Sequence, residues 1–479
     1  MSKEQSIREF LHEHAMLDPV SFHMPGHKGS RIYKEYGYGE YLENIMDYDI
    51  TEIPGADNLF QTEGIINTTM EKYAKLYGVE KSYLLVNGSS SGIISAILAT
   101  VPLGGKIIMA RNSHKSIFNA LSLAEITPVY AYPETVEKYG ILGSINPAEI
   151  EKLFNENPDA SAVILPSPNY YGICSDVEAI AKICHDRGKV LIVDQAHGAH
   201  LKFFNDYCDG YPTAAENAGA DIVICSTHKT LLSWTQTAIL NVCSDRVDLR
   251  QIEDKLQTVE SSSPSYPLMA SLDINADILA EHGAELIRAW DENITSFYNR
   301  AKKISHIRVL EHPMLDRTKM NIDMSNYGYN GDETEKYLNE QGVFPELVTG
   351  NIIMAMSGIG NRDEDYERLL KGLNEIEIEA LDRGIDPDTF ELKREQPKAL
   401  TNKLKQTDIP FEKEFVSIND AVGRVCAQSI IPYPPGIPAI CPGEIYDEEI
   451  VDYIIARRLA DEKVIGLQSD GFVCVGKEE

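Results

Sequence analysis

Two stretches decide the reading of this chain: Val190-Leu191-Ile192-Val193-Asp194-Gln195-Ala196-His197-Gly198 and Ser226-Thr227-His228-Lys229. The first runs from an apolar strand into Asp194. The second closes another such run, 221–226, one strand-helix-strand interval later. Short runs with no polar alternation are what strands covered on both faces of a mostly parallel sheet require. Ligands of such sheets bind beyond the carboxyl ends of the strands. A Lys at one strand end and an Asp at another meet the two demands of pyridoxal phosphate. The cofactor needs an amine to hold it as a Schiff base, which Lys229 supplies if burial or neighbouring cations lower its pKa. It also needs a carboxylate, Asp194, to keep its pyridine nitrogen protonated so that the ring accepts electrons.

The pattern continues on both sides. Runs at 82–86, 106–110 and 162–166 read as further strands, with helices at 116–124, 146–155 and 177–187, which makes a doubly wound α/β domain. An irregular arm rich in Gly, Tyr and Asp, roughly 18–58, precedes them, and a helix begins near Thr62. After a helical region at 273–301, strands at 307–310 and 352–356 are fewer and further apart, as in a smaller α+β domain. The polar segment 381–398, with Gly384, Pro387 and Pro397, reads as a linker to a separate C-terminal unit. The expected division is an arm at 1–60, a large domain at 61–285, a small domain at 286–385 and a C-terminal domain at 399–479.

Composition excludes several classes. The 479 residues carry 44 basic against 74 acidic side chains, a net charge of −30. That argues against nucleic acid or an anionic membrane as partner, and mildly favours the approach of cationic small molecules. The eight cysteines, Cys174, Cys184, Cys208, Cys225, Cys243, Cys426, Cys441 and Cys474, have no Cys-x-x-Cys spacing, so neither a disulfide framework nor a zinc site is expected. His197 and His200 have metal-like spacing without a third ligand, and no metal is expected. The N-terminus is a charged helical pattern, and no apolar run approaches the ~18 residues of a membrane span, so the expected location is the cytoplasm.

Further residues suit the cofactor. The loop Asn87-Gly88-Ser89-Ser90-Ser91-Gly92 joins a strand to a helix, where N–H groups and hydroxyls cradle a phosphate. His114 follows a strand end, where an imidazole can stack on a bound ring. Two Gly- and Pro-rich strings, Phe22-His23-Met24-Pro25-Gly26-His27-Lys28-Gly29 and Tyr433-Pro434-Pro435-Gly436-Ile437-Pro438, read as shaped loops.

Taken with Asp194–His200, 226–229, Ser263-Pro264-Ser265-Tyr266 and Met269-Ala270-Ser271-Leu272-Asp273, these strings resemble the Orn/Lys/Arg decarboxylase major class. Those enzymes use pyridoxal phosphate and have the aspartate aminotransferase-like fold (type I). The resemblance runs from about residue 20 to residue 445. The chain looks like the short form of that family, similar to the biosynthetic arginine decarboxylases of Gram-positive bacteria, because the receiver-like N-terminal wing of the large inducible enzymes is not seen, and a decamer built through that wing is not implied. The resemblance implies that Lys229 carries the cofactor and Asp194 pairs with its ring nitrogen. Ser89, Ser90, Ser226 and His228 would hold the phosphate, with Ser91 and His197 beside them. His114 would stack on one ring face and Ala196 pack on the other. It further implies a homodimer with shared active sites, Ser263 and Ser265 reaching the neighbour's phosphate, and a possible higher oligomer. Gln195 stands where the family usually has Glu, and Asn169 replaces a usual Thr, a change that would alter contacts around cofactor or substrate.

The implied reaction is decarboxylation of arginine, lysine or ornithine to the amine in polyamine metabolism, with Lys229 or His228 returning the proton to Cα. A transaminase of this fold typically grips the α-carboxylate with an Arg in an Arg-x-Ser motif, but the comparable stretch here reads Met354-Ala355-Met356-Ser357-Gly358. The missing Arg favours decarboxylation, since a tightly paired carboxylate is held back from leaving. Another lyase of the same fold and a catalytically silent regulatory homologue are the alternatives. For the distal cation of the substrate the first candidate is Glu444, in Pro442-Gly443-Glu444, followed by Asp47, Asp49, Glu52 and Asp57 of the arm.

Overall fold

In the computed structural model, which describes residues 6–390, 404–433, 437–459 and 463–477, the apolar runs form one seven-stranded sheet. Its order is Lys81–Leu85, Ala238–Val242, Ile222–Cys225, Val190–Asp194, Ala162–Pro166, Lys106–Ala110 and Thr127–Ala131. Every neighbouring pair is parallel except those made by Ala238–Val242, which is antiparallel to both of its neighbours. Leu191, Ile192, Val193, Ile222, Val223 and Ile224 are completely buried. Burying an aliphatic side chain of this kind stabilises by about 1.5–3 kcal/mol, so the centre of the sheet is its most strongly held part.

The antiparallel strand Ala238–Val242 was not anticipated from the sequence. Its apolar run is interrupted by Asn241, which is buried because it accepts from Ser82 Oγ at 2.7 Å and donates to Glu216 at 3.1 Å. A short link from the Thr227–Thr230 helix leaves no room for a parallel crossover, so the chain returns antiparallel.

The second unit is a four-stranded antiparallel sheet, Arg308–Val309, Lys319–Asp323, Ile352–Met356 and Leu347–Thr349, with the helices Gly331–Glu340 and Asp363–Asp382. The 36-residue helix Tyr266–Ala301 runs through residue 285 and is shared by both units. The C-terminal unit has its own apolar core, including Ile430, Ile440, Tyr446, Ile454, Val473 and Val475. The expected linker 381–398 begins inside the Asp363–Asp382 helix, and its later part, with Pro397, lies outside the described residues.

The arm is more ordered than its composition indicated. Its strand Val20–Phe22 pairs in parallel with Val343–Pro345 of the small unit, and Arg31–Glu35 and Gly39–Glu43 are helical. Asp57 then caps the helix Ile65–Tyr77 from outside it. That helix starts on Gly64 with no side-chain cap of its own, and the Asp57 carboxylate accepts from the N–H groups of Asn58, Glu63, Gly64, Ile66 and Asn67 at 2.9–3.4 Å. Desolvation pushes the Asp57 pKa up, but these backbone donors outweigh it and hold the carboxyl below its ordinary range. Asp57 is therefore committed to the backbone and is not free to read a substrate cation. Asp57→Ala should lower the urea midpoint by the equivalent of about 1–2 kcal/mol, the upper range for loss of an N-terminal cap, with little change in the folded far-UV spectrum.

Candidate active site

Six parallel strands deliver their carboxyl ends to one edge of the sheet, and the loops that follow five of them build one pocket. It is lined by Ser89, Ile93, His114, Pro166, Pro168, Tyr170, Asp194, Ala196, His197 and Lys229. Strand Val190–Asp194 ends on Asp194 and continues into Ala196 and His197, whereas strand Ile222–Cys225 ends one residue before Ser226 and the short Lys229 helix. The backbone N–H of Gln195 bonds the Ile224 carbonyl at 2.9 Å, which fixes the two loops side by side.

Lys229 and Asp194 meet in this pocket. The Lys229 Nζ lies 3.0 Å from His197 Nε2. Burial lowers the Lys229 pKa and Lys319 adds to the lowering, while Asp194 and Glu346 oppose it, leaving a net fall towards the neutral amine. Asp194 accepts from Ala196 N at 3.1 Å through one oxygen, and its other oxygen has no partner among the described residues. Burial raises the Asp194 pKa against the pull of Lys229 and Ala196 N–H. His197 is neutral, since burial first and the nearby lysines second push its pKa well down, and its buried Nδ1 has no partner among the described residues.

The remaining expected residues divide into those facing the pocket and those held elsewhere. Ser89 opens the helix Ser89–Thr100, and Gly88, at φ +80, precedes it with no side-chain cap; Ser91 N bonds the Gly88 carbonyl at 3.2 Å, which leaves the N–H groups of Ser89 and Ser90 for a ligand. Ser226 Oγ, on the same edge but outside the pocket lining, is buried and has no partner among the described residues. Ser90 is half-buried on the same helical turn as Ser89. His114 lines the pocket but also caps its own helix, accepting from Ser116 N at 3.2 Å, and burial pushes its pKa down to about 3. His228 shares its Nδ1 with the Thr237 carbonyl at 2.6 Å, and burial lowers its pKa to about 4.

Ser91 does not face the pocket. Its hydroxyl donates to the Gly88 carbonyl and to Glu260, whose carboxylate also accepts from Val86 N and Asn87 N and so shapes the loop from behind. Ser265 caps the helix Tyr266–Ala301, and Ser263 is exposed beside it. Neither lines the pocket of its own chain.

Glu444 corrects the expectation placed on it. Its carboxylate is 1% exposed and takes two bonds from Arg111, Nε at 2.7 Å and an Nη at 2.8 Å, with Cys441 N as a third donor. Arg111 also donates to the Pro438 and Ala439 carbonyls. A carboxylate so satisfied has no capacity for a substrate cation. Instead it fastens the Pro-rich loop of the C-terminal unit to the strand-end segment that carries His114. Pro434, Pro435 and Gly436 of that loop lie outside the described residues.

The two departures from the family pattern also find structural reasons. Gln195 turns away from the pocket, donating to Glu216 at 2.8 Å and accepting from Ala215 N at 2.8 Å. A Glu there would set two carboxylates together. Asn169 donates to the Leu142 and Gly143 carbonyls and accepts from Tyr171 N and Ile173 N, so its side chain is spent on backbone and does not line the pocket. His197 and His200 point to different partners: His200 bonds Thr230 and Asp316.

Sequence reasoning missed the arm's approach to the site. Gly26 N bonds the His228 carbonyl at 2.8 Å and Gly360 N bonds the Gly26 carbonyl at 3.0 Å, so the arm runs between the Lys229 helix and the small unit. A Cβ on Gly26 would lie 2.4 Å from Thr230 C, which explains why glycine stands there. Met24 N donates to Glu346 at 2.9 Å, and that places a carboxylate in the field of Lys229 and Lys28. Arg111 carried the same signal as Asp194, a charge directly after an apolar strand. Glu346 and Glu260 had no such signal, because their placement depends on long-range packing.

The fold and site define an α/β enzyme in which one edge of the sheet gathers the Lys229 amine, the buried Asp194 carboxylate, the Ser226 hydroxyl and the uncapped start of the Ser89–Thr100 helix. The chain belongs to the Orn/Lys/Arg decarboxylase family, matching the family's major domain over residues 7–322 and its C-terminal domain over 390–472. It is 32% identical over 473 residues to an arginine decarboxylase of Halalkalibacterium halodurans, covering 96% of this chain and 94% of that one. An arginine decarboxylase of Bacillus subtilis is 30% identical over 455 residues, covering 93% and 91% of the two chains. The crystal structure of the Francisella novicida lysine decarboxylase LdcF superposes with a TM-score of 0.77 at 20% identity, over 95% of this chain and 78% of that one, and shows the shared fold.

Glu444→Ala should leave Arg111 buried and unpaired, at a cost of about 3–5 kcal/mol. The expected outcome is loss of protease protection in residues 404–477 at temperatures where the wild type resists, with the large domain still folded.

Proposed function

We propose that the chain decarboxylates a basic amino acid with pyridoxal phosphate as cofactor, arginine being the first substrate and lysine or ornithine the alternatives. One observation carries the reading: one pocket brings together the Lys229 amine, 3.0 Å from His197 Nε2, and the buried carboxylate of Asp194. The arginine decarboxylases among the relatives support the substrate class. Met354 and Met356 are completely buried, and Ser357 is bonded to Trp290 and Tyr366, so this stretch offers no cation to grip a carboxylate, which favours its departure.

Pyridoxal phosphate, when bound, supplies an aldehyde for the amine and a ring that accepts the electrons of the breaking Cα–carboxylate bond. Ser89, Ser90 and Ser226 would hold its phosphate, with His228 near by. Asp194 would hold a proton at the ring nitrogen, and the positive charge there would draw the carboxyl back to the ionised form that burial disfavours. His114 and Ala196 would flank the ring. Lys229 is the better donor of the returning proton, because a His228 with its pKa near 4 is already neutral at pH 7.

The same reading takes the protein as cytoplasmic and as a homodimer. Eight free thiols and the absence, among the described residues, of a helix long and apolar enough to cross a membrane support the first. The exposed position of Ser263, together with the exposure of Met46, Ile50 and Ile53 on the arm, supports a partner surface to which Ser263 and Ser265 contribute. The amine produced would enter polyamine synthesis.

Incubation with arginine, lysine and ornithine separately, with identification of agmatine, cadaverine or putrescine, tests the substrate; release of none of the three amines and no CO2 would refute the activity. Lys229→Ala should abolish turnover and leave the fold unchanged by circular dichroism. Asp194→Ala should lower kcat by about 10²–10³, the range for removing one preorganised electrostatic partner of the transition state. An unchanged kcat would remove Asp194 from the mechanism.

A further inference from the structure

Beneath the pocket lies a charged cluster that sequence reasoning did not find. Asp316 and Lys319 come from the small unit, and both side chains are completely buried, with the Lys319 Nζ 2.8 Å from Asp316 Oδ2. The same Nζ donates to the His197 carbonyl at 2.6 Å and to Thr318 Oγ1 at 3.0 Å. Asp316 also takes Thr318 N and the Thr318 hydroxyl, and stands 3.1 Å from His200 Nε2. His200, completely buried against Trp290 and Phe204, reaches Thr230 Oγ1 with its Nδ1 at 3.1 Å.

The connections close around the reactive amine. Lys319 holds the backbone of His197, whose ring bonds Lys229. Asp316 holds His200, whose other nitrogen bonds Thr230, the residue after Lys229. The loop 195–200 and the helix Thr227–Thr230 are thus fixed to one another through a third element. Gly172, at φ +89, permits the approach: a Cβ there would lie 2.8 Å from Lys319 Cβ. Apolar side chains would pack this volume at least as stably, because a fully buried ion pair gains little over hydrophobic packing.

We propose that Asp316, Lys319, His200 and Thr230 form a positioning cluster that sets the His197–Lys229 contact and holds a fixed positive charge near the Lys229 amine, so that the amine is aimed and reactive before the cofactor arrives. None of the four is a catalytic residue. The groups facing Lys229 are Asp194, Glu346, Lys319, His197, His114 and His228. Burial makes the three histidines neutral, so Lys319 is the principal cation set against the two carboxylates. Its loss raises the Lys229 pKa and leaves less free amine at neutral pH.

The inference rests on the proposed cofactor chemistry, and its test reads bond formation instead of turnover. The full-length protein is freed of cofactor and mixed with pyridoxal phosphate between pH 6 and pH 9. Samples are quenched at intervals with borohydride, and the Lys229 adduct is counted by peptide mass spectrometry. Lys319→Met should form the adduct about tenfold more slowly at pH 7, with the pH midpoint moved up by about one unit. Thr230→Val, which changes no charge, should lower the plateau rate by roughly threefold to tenfold, the worth of one hydrogen bond, and leave the midpoint in place. A folded Lys319→Met with wild-type rate and midpoint overturns the proposal. Should Lys319→Met fail to fold, a wild-type rate in Thr230→Val overturns it instead. If wild-type protein forms no adduct at Lys229, the cofactor assignment falls and takes this inference with it.

Discussion

A half-buried amine and a buried carboxylate set together, Lys229 and Asp194, are the constraint on which the rest depends. Neither charge is stable alone at that depth, and each moves the other's pKa back towards its ionised form. The fold answers by placing both at strand ends, where backbone geometry is rigid, and by leaving the residual imbalance for a ligand to complete. The unpartnered Asp194 oxygen, the orphaned Ser226 hydroxyl and the uncapped start of the Ser89–Thr100 helix are three such incomplete interactions on one edge of one sheet.

Around that centre the chain returns repeatedly from distant sequence. The arm passes between the Lys229 helix and the small unit through Gly26, the small unit sends Lys319 and Glu346, and the C-terminal unit is tied on by Arg111 and Glu444. Each tie uses a polar or charged group inside apolar surroundings, where partners are obligatory because an unpaired group is expensive. Carboxylates that resemble substrate readers in the sequence, Asp57 and Glu444, are consumed by such ties. Glu346, with one oxygen on Met24 N and the other without a partner among the described residues, faces the lysines of the site.

The legible part of the chain was the part governed by local rules. The strands Lys106–Ala110, Ala162–Pro166, Val190–Asp194 and Ile352–Met356 coincide with their apolar runs, because strands buried on both faces must be apolar throughout. Lys229 and Asp194 were legible for the complementary reason that a charge closing such a run has few structural uses. Ala238–Val242 was hidden by Asn241, whose burial depends on Ser82 and Glu216 from elsewhere. The order of the arm was hidden because its strand is completed by Val343–Pro345, more than three hundred residues away. Glu444 was misread, since a loop carboxylate after Pro-Gly looks available until Arg111 is placed beside it. Lys319 gave no sign, because a Lys opening a strand is ordinarily a solvated end.

The central claim is that one amine, Lys229, bears the chemistry. Borohydride reduction of the protein as purified, followed by digestion and peptide mass measurement, tests it directly. The account predicts a single pyridoxyl phosphate group on the peptide containing Lys229, and loss of the visible absorption band on reduction. A label on another lysine, or an unmodified Lys229 in protein that still releases an amine from a basic amino acid, would contradict it.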